Sequence, residues 1–147
     1  MTFTAFIPGR PVPFARPRFN GGRGYQDPTY AAWKRGAAFI LRAAAAGEPV
    51  ISRQPLALRV EVYHPRPQAR PSHVPHDAWK AGTATWAICR SDTDNIGKAV
   101  MDALQDSRAI EDDRWVARIE VVSMYAAEGG QVGVGCVLTS LVHTATM

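Results

Sequence analysis

The chain has 147 residues, of which 46% are hydrophobic and 20% charged, a globular composition that excludes a disordered or fibrous protein. A chain of this length forms one domain, so we expect residues 1–147 to fold as a single unit. Its two cysteines argue against a disulfide scaffold and a thiolate metal site, and they favour a reducing, cytoplasmic setting. We expect neither a signal peptide nor a membrane span, because no charged segment precedes a long apolar run.

The charge is unevenly distributed along the chain. Residues 1–90 contain thirteen Lys and Arg against four Asp and Glu, whereas residues 91–147 contain four against nine. Arginine outnumbers lysine fourteen to three, and its guanidinium group suits bidentate contact with phosphate. A basic body around one acidic patch suits a metal-dependent nuclease, although a basic domain with an ordinary acidic helix has the same charge pattern.

The amino-terminal part predicts a strand followed by a basic loop. In residues 2–7 the alternate positions Phe3, Ala5 and Ile7 are apolar and lie on one side, which favours a first strand. Residues 8–24 are rich in proline, glycine and arginine, and we expect them to form a long loop without regular structure. Phe14 and Phe19 lie between the arginines of this loop. They could stack on unpaired bases, but folding back over the core is the favoured interpretation.

The middle of the chain predicts a helix and a strand. Asp27 is a good N-cap, and Gly47 suits the end of the helix that it begins. Residues 56–64 alternate strictly and predict the clearest strand. Residues 65–90 lack periodicity and are expected to form a long loop, which is either functional or disordered. The buried side of the helix is predicted to contain Tyr30, Trp33, Ala37, Ile40, Leu41 and Ala44.

The carboxyl-terminal part predicts a second helix over residues 92–105, then strands over 116–124 and 131–139. The resulting order is β-α-β-α-β-β, which indicates an α+β fold with helices packed on a mixed sheet. The packed side of the second helix is predicted to contain Ile96, Ala99, Val100, Ala103 and Leu104.

Charged residues follow one side of the second helix. Asp94, Lys98 and Asp102 are spaced four apart and therefore share one side, and Asp92 stands at the helix start. We expect the chain reversal after the helix to return one acid of the pair at 112–113 towards that start. Clustered carboxylates favour Mg²⁺ or Mn²⁺, and such a metal suits phosphoryl transfer.

The same residues allow a simpler interpretation. Asp92 could serve only as an N-cap, and Asp94 with Lys98 could form a surface ion pair worth about 0.3–0.5 kcal/mol. The spacing by itself leaves both interpretations open.

The segment DTDNIGKAVMDAL, followed by EDD, resembles the RusA-like Holliday-junction resolvases, especially their phage members. That family carries D-x-D-N-x-x-K-x-x-x-D-A-L, which is filled here from Asp92 to Leu104, and then an acidic pair. The opening PGRPVPFARPRF and the later HPRP loop are also similar to phage members. Arg90 and Ser91 replace the Lys-Pro pair common in those relatives, which keeps a basic residue beside the motif.

The resemblance implies a homodimeric endonuclease of a bacterial or phage-infected cell that binds four-way DNA junctions and nicks two strands symmetrically. It implies Mg²⁺ as cofactor, with Mn²⁺ as a substitute. By the same resemblance the metal-binding acids are Asp92, Asp94 and Asp113, the catalytic lysine is Lys98, and Asp102 and Asp112 are secondary acids.

Phosphate contacts are expected from the basic loop. The best candidates for DNA binding are Arg10, Arg16, Arg18, Arg23 and Arg90. The histidines do not predict a zinc site, because His73 and His76 lie in a proline-rich loop and no cysteine pair completes a ligand set. Two other functions stay open on the sequence: a non-catalytic DNA-binding module of the same fold, and a nuclease acting on RNA or flaps.

Overall fold

The computed structural model describes residues 2–46, 53–88 and 93–141. Within these ranges the chain forms seven strands, three α-helices and one 3-10 helix. In chain order the elements are β1 (Thr2–Pro8), β2 (Arg18–Asn20), β3 (Arg23–Tyr25), α1 (Pro28–Ala44), β4 (Leu56–His64), α2 (His76–Lys80), β5 (Thr85–Trp86), α3 (Thr93–Asp106), the 3-10 helix (Asp113–Trp115), β6 (Val116–Tyr125) and β7 (Gly133–Ser140).

Five of the strands form one sheet in the order β1-β7-β4-β6-β5. The β4–β6 pair is parallel and the other neighbours are antiparallel, so the sheet is mixed. The α+β class and the underlying β-α-β-α-β-β order predicted from the sequence are confirmed. Of the helices in the described ranges, none is long and apolar enough to cross a membrane.

The core lies between the sheet and the two long helices, which pack on one face of it. The alternation of apolar and charged residues along β4 explains which face of the sheet the helices cover. Leu58, Val60 and Val62 are buried beneath the helices, whereas Arg59 and Glu61 lie on the other face. Arg59 forms ion pairs there with Glu61 and Glu120. The strand predicted over residues 56–64 is therefore confirmed with the same bounds.

Helix α1 begins as predicted, because the Asp27 carboxylate accepts a hydrogen bond from the Tyr30 backbone N–H at 3.1 Å. Tyr30 is fully buried, but Ala44, predicted to be buried, is exposed. Ala44 is the last residue of the helix and lies on its exposed side, and the C-cap Ala45 contacts the core instead. Gly47, the predicted terminator, lies outside the described residues.

Helix α3 begins at Thr93 in the described part of the chain, and the five residues predicted for its packed side are all buried. Gly97 is buried as well and lies directly against β6. A Cβ at this position would lie 2.6 Å from Val121 Cγ2 and 3.4 Å from Ile119 Cδ1. The absence of a side chain at Gly97 therefore lets the helix approach the sheet closely.

Two segments predicted to be loops contain regular structure. In the amino-terminal segment, Gly21 and Gly22 adopt φ values of +59° and +79°, which permits the two-residue turn that joins β2 and β3. The prediction of an irregular loop over residues 8–24 is therefore wrong for its second half. The segment 65–90 contains α2 and β5 in its described part, where the Arg66 guanidinium stacks 3.6 Å from the Trp79 ring centroid.

We expect Gly97→Ala to lower the free energy of unfolding by about 1–3 kcal/mol, because the added methyl group must push α3 away from β6. Gly36→Ala is the matched control in α1, since a Cβ there meets no atom within 4 Å. It should raise the free energy of unfolding by up to about 1 kcal/mol. Urea unfolding measures the free energy of unfolding of both variants. If both changes had the same sign, the account of close packing at Gly97 would be contradicted.

Candidate active site

The charged side of α3 faces away from the sheet. Asp94 and Lys98 are exposed, and Asp102 is half-buried. The ion pairs among the described residues do not join Asp94 to Lys98. The Lys98 ammonium instead lies 4.1 Å from the centroid of the Phe14 ring. The simple surface ion pair is therefore not formed, and the Asp94 carboxylate stays open to solvent.

Phe14 fixes the loop after β1 on the first turns of α3. Its backbone N–H donates a hydrogen bond to the Asn95 carbonyl at 3.0 Å, and its ring meets Tyr30 edge-on at 5.4 Å. The expectation that Phe14 folds back is confirmed. Phe19 is different, since it is 78% exposed and the same expectation is wrong for it. Phe14 can pack because α1 and α3 offer it a surface, whereas Phe19 lies in the protruding hairpin.

Asp102 joins the two long helices. The Tyr30 hydroxyl donates a hydrogen bond to its carboxylate at 2.8 Å. Burial, and then the hydrogen bond to negatively charged Asp102, raise the pKa of the Tyr30 hydroxyl, which therefore stays a proton donor at neutral pH. Close by, Lys34 forms an ion pair of 3.4 Å with Asp106. These contacts hold α1 against α3, so Asp102 has a structural role next to the candidate site.

Polar side chains attach the start of α3 to the sheet. The Thr93 hydroxyl donates to Ser123 Oγ at 3.2 Å, and Ser123 Oγ lies 3.3 Å from His64 Nε2. Burial lowers the pKa of His64 below its ordinary value. Sequence reasoning missed this group, because the three residues come from α3, β6 and β4 with no spacing that relates them. The group fixes the first turn of α3 at the carboxyl ends of β4 and β6.

The acidic pair lies just before β6. The Asp112 carboxylate caps the 3-10 helix by accepting a hydrogen bond from the Arg114 backbone N–H at 2.9 Å. Asp113 is the first residue of that helix and is exposed. Its carboxylate is therefore open to solvent, as that of Asp94 is.

The two exposed acids lie at opposite ends of α3. The first turn of α3 contacts Ser123 near the end of β6, whereas Asp113 precedes Val116 at the beginning of that strand. The strand from Val116 to Ser123 spans roughly 20 Å. Because α3 runs antiparallel to β6, the chain reversal carries Asp113 away from Asp94, contrary to the expected return.

The acids of one chain therefore do not meet in the described ranges. No group of three or more His, Cys, Asp or Glu side chains that could hold a metal ion occurs there. Asp92 lies outside the described residues, as does Arg90. The exposed carboxylates are nevertheless the hard oxygen donors that Mg²⁺ and Mn²⁺ prefer, so the donor chemistry fits such a metal.

Four of the candidate phosphate-binding arginines lie in the amino-terminal segment that contains Phe14 and the β2–β3 hairpin. Arg10, Arg16, Arg18 and Arg23 are all exposed, and they form no ion pair with an acid that the structure describes. By contrast, Arg70 donates hydrogen bonds to two backbone carbonyls within the loop that follows β4. The arginines of the amino-terminal segment are therefore available to an external anion.

We expect Tyr30→Phe to lower the free energy of unfolding by about 1.5–3 kcal/mol, because the half-buried Asp102 carboxylate loses a hydrogen bond. Tyr63→Phe is the matched control, since the Tyr63 hydroxyl donates to Glu61 at 2.7 Å on the open face of the sheet. Arg59 also pairs with Glu61, so this loss should cost about 1 kcal/mol or less. Denaturant unfolding measures both variants. Equal losses of unfolding free energy would show that the Tyr30–Asp102 hydrogen bond stabilises the protein no more than the Tyr63–Glu61 hydrogen bond does.

Comparison with known protein families agrees with the sequence motif. The family model described as endodeoxyribonuclease RusA matches residues 8–135, which is most of the chain. No curated protein gives a significant match to the chain as an individual relative. The matched range includes the amino-terminal basic segment, all of α3 and the acidic pair before β6. The chain therefore belongs to the RusA family of endodeoxyribonucleases.

Proposed function

We propose that this protein is a Mg²⁺-dependent endonuclease that resolves four-way DNA junctions by paired symmetric nicks, in DNA recombination and repair. The observation that carries the proposal is the exposed side of α3, where Asp94 and Lys98 lie open to solvent in a chain of the RusA family. The segment that Phe14 fixes against this side carries exposed arginines, which suit a phosphate-backbone substrate.

In this proposal the metal is held by Asp94 in the first turn of α3 together with Asp92, which lies two residues earlier in the sequence. When bound there, Mg²⁺ or Mn²⁺ would supply an activated water and would neutralise charge at the scissile phosphate. Lys98, one turn along the helix, provides a positive charge for a non-bridging phosphate oxygen. The Phe14 ring beneath its ammonium group restricts that side chain without neutralising it.

We further propose that the third acid comes from a second copy of the chain. The support is that α3, which separates Asp94 from Asp113 within one chain, is roughly 20 Å long. A two-fold dimer could place Asp113 of one copy beside Asp94 of the other, which forms two identical sites. Such a dimer matches the two-fold symmetry of paired nicks in a four-way junction.

One observation favours a second candidate function, a non-catalytic DNA-binding module. The described residues of one chain do not bring three acids together, so a single copy has no complete metal site there. In that case the arginines would bind branched DNA, and the acids would serve as caps and helix contacts.

The test is cleavage of a synthetic four-way junction beside linear duplex of the same arms, with Mg²⁺, Mn²⁺ or EDTA. We expect metal-dependent paired nicks in the junction only. Asp94→Asn should slow cleavage about 100-fold or more, because the metal loses a ligand. Junction binding should be retained or tightened, because a negative charge near phosphate is removed. Asp77→Asn, an exposed acid of α2, is the matched control and should cleave normally.

Each alternative has its own result in this experiment. Binding without a cut under every metal would support the non-catalytic module and contradict the proposed activity. Equal cleavage of the linear duplex would support the nuclease activity but would contradict its selectivity for junctions. Near-normal cleavage by Asp94→Asn would contradict the assignment of the site to α3.

A further inference from the structure

The hairpin formed by β2 and β3 stands exposed on the protein surface. Every residue from Arg16 to Tyr25 is exposed, and the hairpin belongs to neither the main sheet nor the core. Phe19 in β2 is 78% exposed, the highest value among the large hydrophobic side chains in the described ranges. The Phe19 ring makes no contact with the core and is therefore available to another molecule.

The pairing of the strands gives the hairpin two different faces. Arg18 pairs with Tyr25 and Asn20 with Arg23, so these four side chains lie on one face, the arginine face. Phe19 pairs with Gly24 and lies on the other face. A Cβ at Gly24 would be only 3.3 Å from Phe19 Cε1, so the glycine leaves room for the aromatic ring to lie across the neighbouring strand.

The hairpin emerges beside the candidate site. Phe14, which precedes it, binds the Asn95 carbonyl and lies beneath the Lys98 ammonium. Tyr30, which follows it, bonds to Asp102. These two rings also contact each other at 5.4 Å, so both ends of the segment are fixed on the charged side of α3.

The charge of this segment selects the class of partner. Residues 9–26 contain four arginines and no acid, which complements a polyanion. A segment that carries both an exposed aromatic ring and such cations can bind a nucleobase by stacking while phosphates meet the guanidinium groups. Stacking requires a base whose π-face is accessible, and such bases occur where a duplex branches or opens.

We propose that the β2–β3 hairpin recognises the branch point of the DNA substrate. Phe19 stacks on a nucleobase unpaired or unstacked at the branch point, and Arg18 and Arg23, on the opposite face of the hairpin, contact phosphates of an adjoining arm. This inference rests on the proposed function, because it assigns the recognition of branched DNA to a specific element beside the same site. The hairpin takes no part in bond cleavage.

The test measures DNA binding by the Asp94→Asn protein, which removes cleavage from the measurement. A junction carries 2-aminopurine at the branch point, and a second junction carries it within an arm. We expect binding to raise the fluorescence only of the branch-point base, as that base leaves the DNA stack. Phe19→Ala should abolish this rise and weaken junction binding about 10-fold, with binding to linear duplex nearly unchanged.

Phe39→Ala is the matched control. Phe39 is 76% exposed on α1, so the same change removes an aromatic ring of similar exposure from a different element. It should leave both the fluorescence rise and the affinity unchanged. Arg23→Gln should weaken binding to junction and linear duplex by similar factors, because a phosphate contact is not selective for the branch.

The outcomes separate this inference from the proposed function. Equal effects of Phe19→Ala and Phe39→Ala on junction binding would overturn the role of the hairpin, even if the native protein cleaves junctions. A loss of linear-duplex binding as large as the loss of junction binding would also overturn it. If the native protein cleaves no junction but Phe19→Ala alone removes the branch-point signal, the proposed activity fails and the role of the hairpin stands.

Discussion

The close approach of α3 to β6 at Gly97 is the constraint on which the site depends. Because no side chain separates the helix from Val121, the apolar side of α3 is buried and its charged side must face outward. The antiparallel course of α3 and β6 then determines where the remaining acids lie. Asp94 is placed at one end of the helix and Asp113 at the other.

The charged residues of α3 have different roles, some structural and some chemical. Asp102 accepts the Tyr30 hydrogen bond and helps to hold α1, while Lys98 is supported by the ring of Phe14. Asp94 has neither kind of contact in the described structure and is exposed at the first turn. Its carboxylate is therefore the one on this helix best able to bind a metal without breaking a structural contact. Phe14 and Tyr30 also connect this side of α3 to the basic hairpin.

The sequence predicted the elements whose signals are local. Alternation identified β4, the Asp27 cap identified the start of α1, and apolar spacing identified the buried side of α3. The β2–β3 hairpin was missed because proline and arginine obscure any period, and its one local signal is the Gly21–Gly22 turn. The position of Asp113 relative to Asp94 could not be predicted from the sequence, because it depends on the direction of β6 relative to α3.

Mixing two inactive variants tests most directly the claim that each site takes acids from two copies. Asp94→Asn and Asp113→Asn proteins are assayed for junction nicking separately and after subunit exchange. If sites are shared, a mixed dimer keeps one site with both acids, so nicking should return to about a quarter of the native level, as single nicks. If the mixture stays as inactive as its components, each site comes from one chain and the shared-site account is wrong.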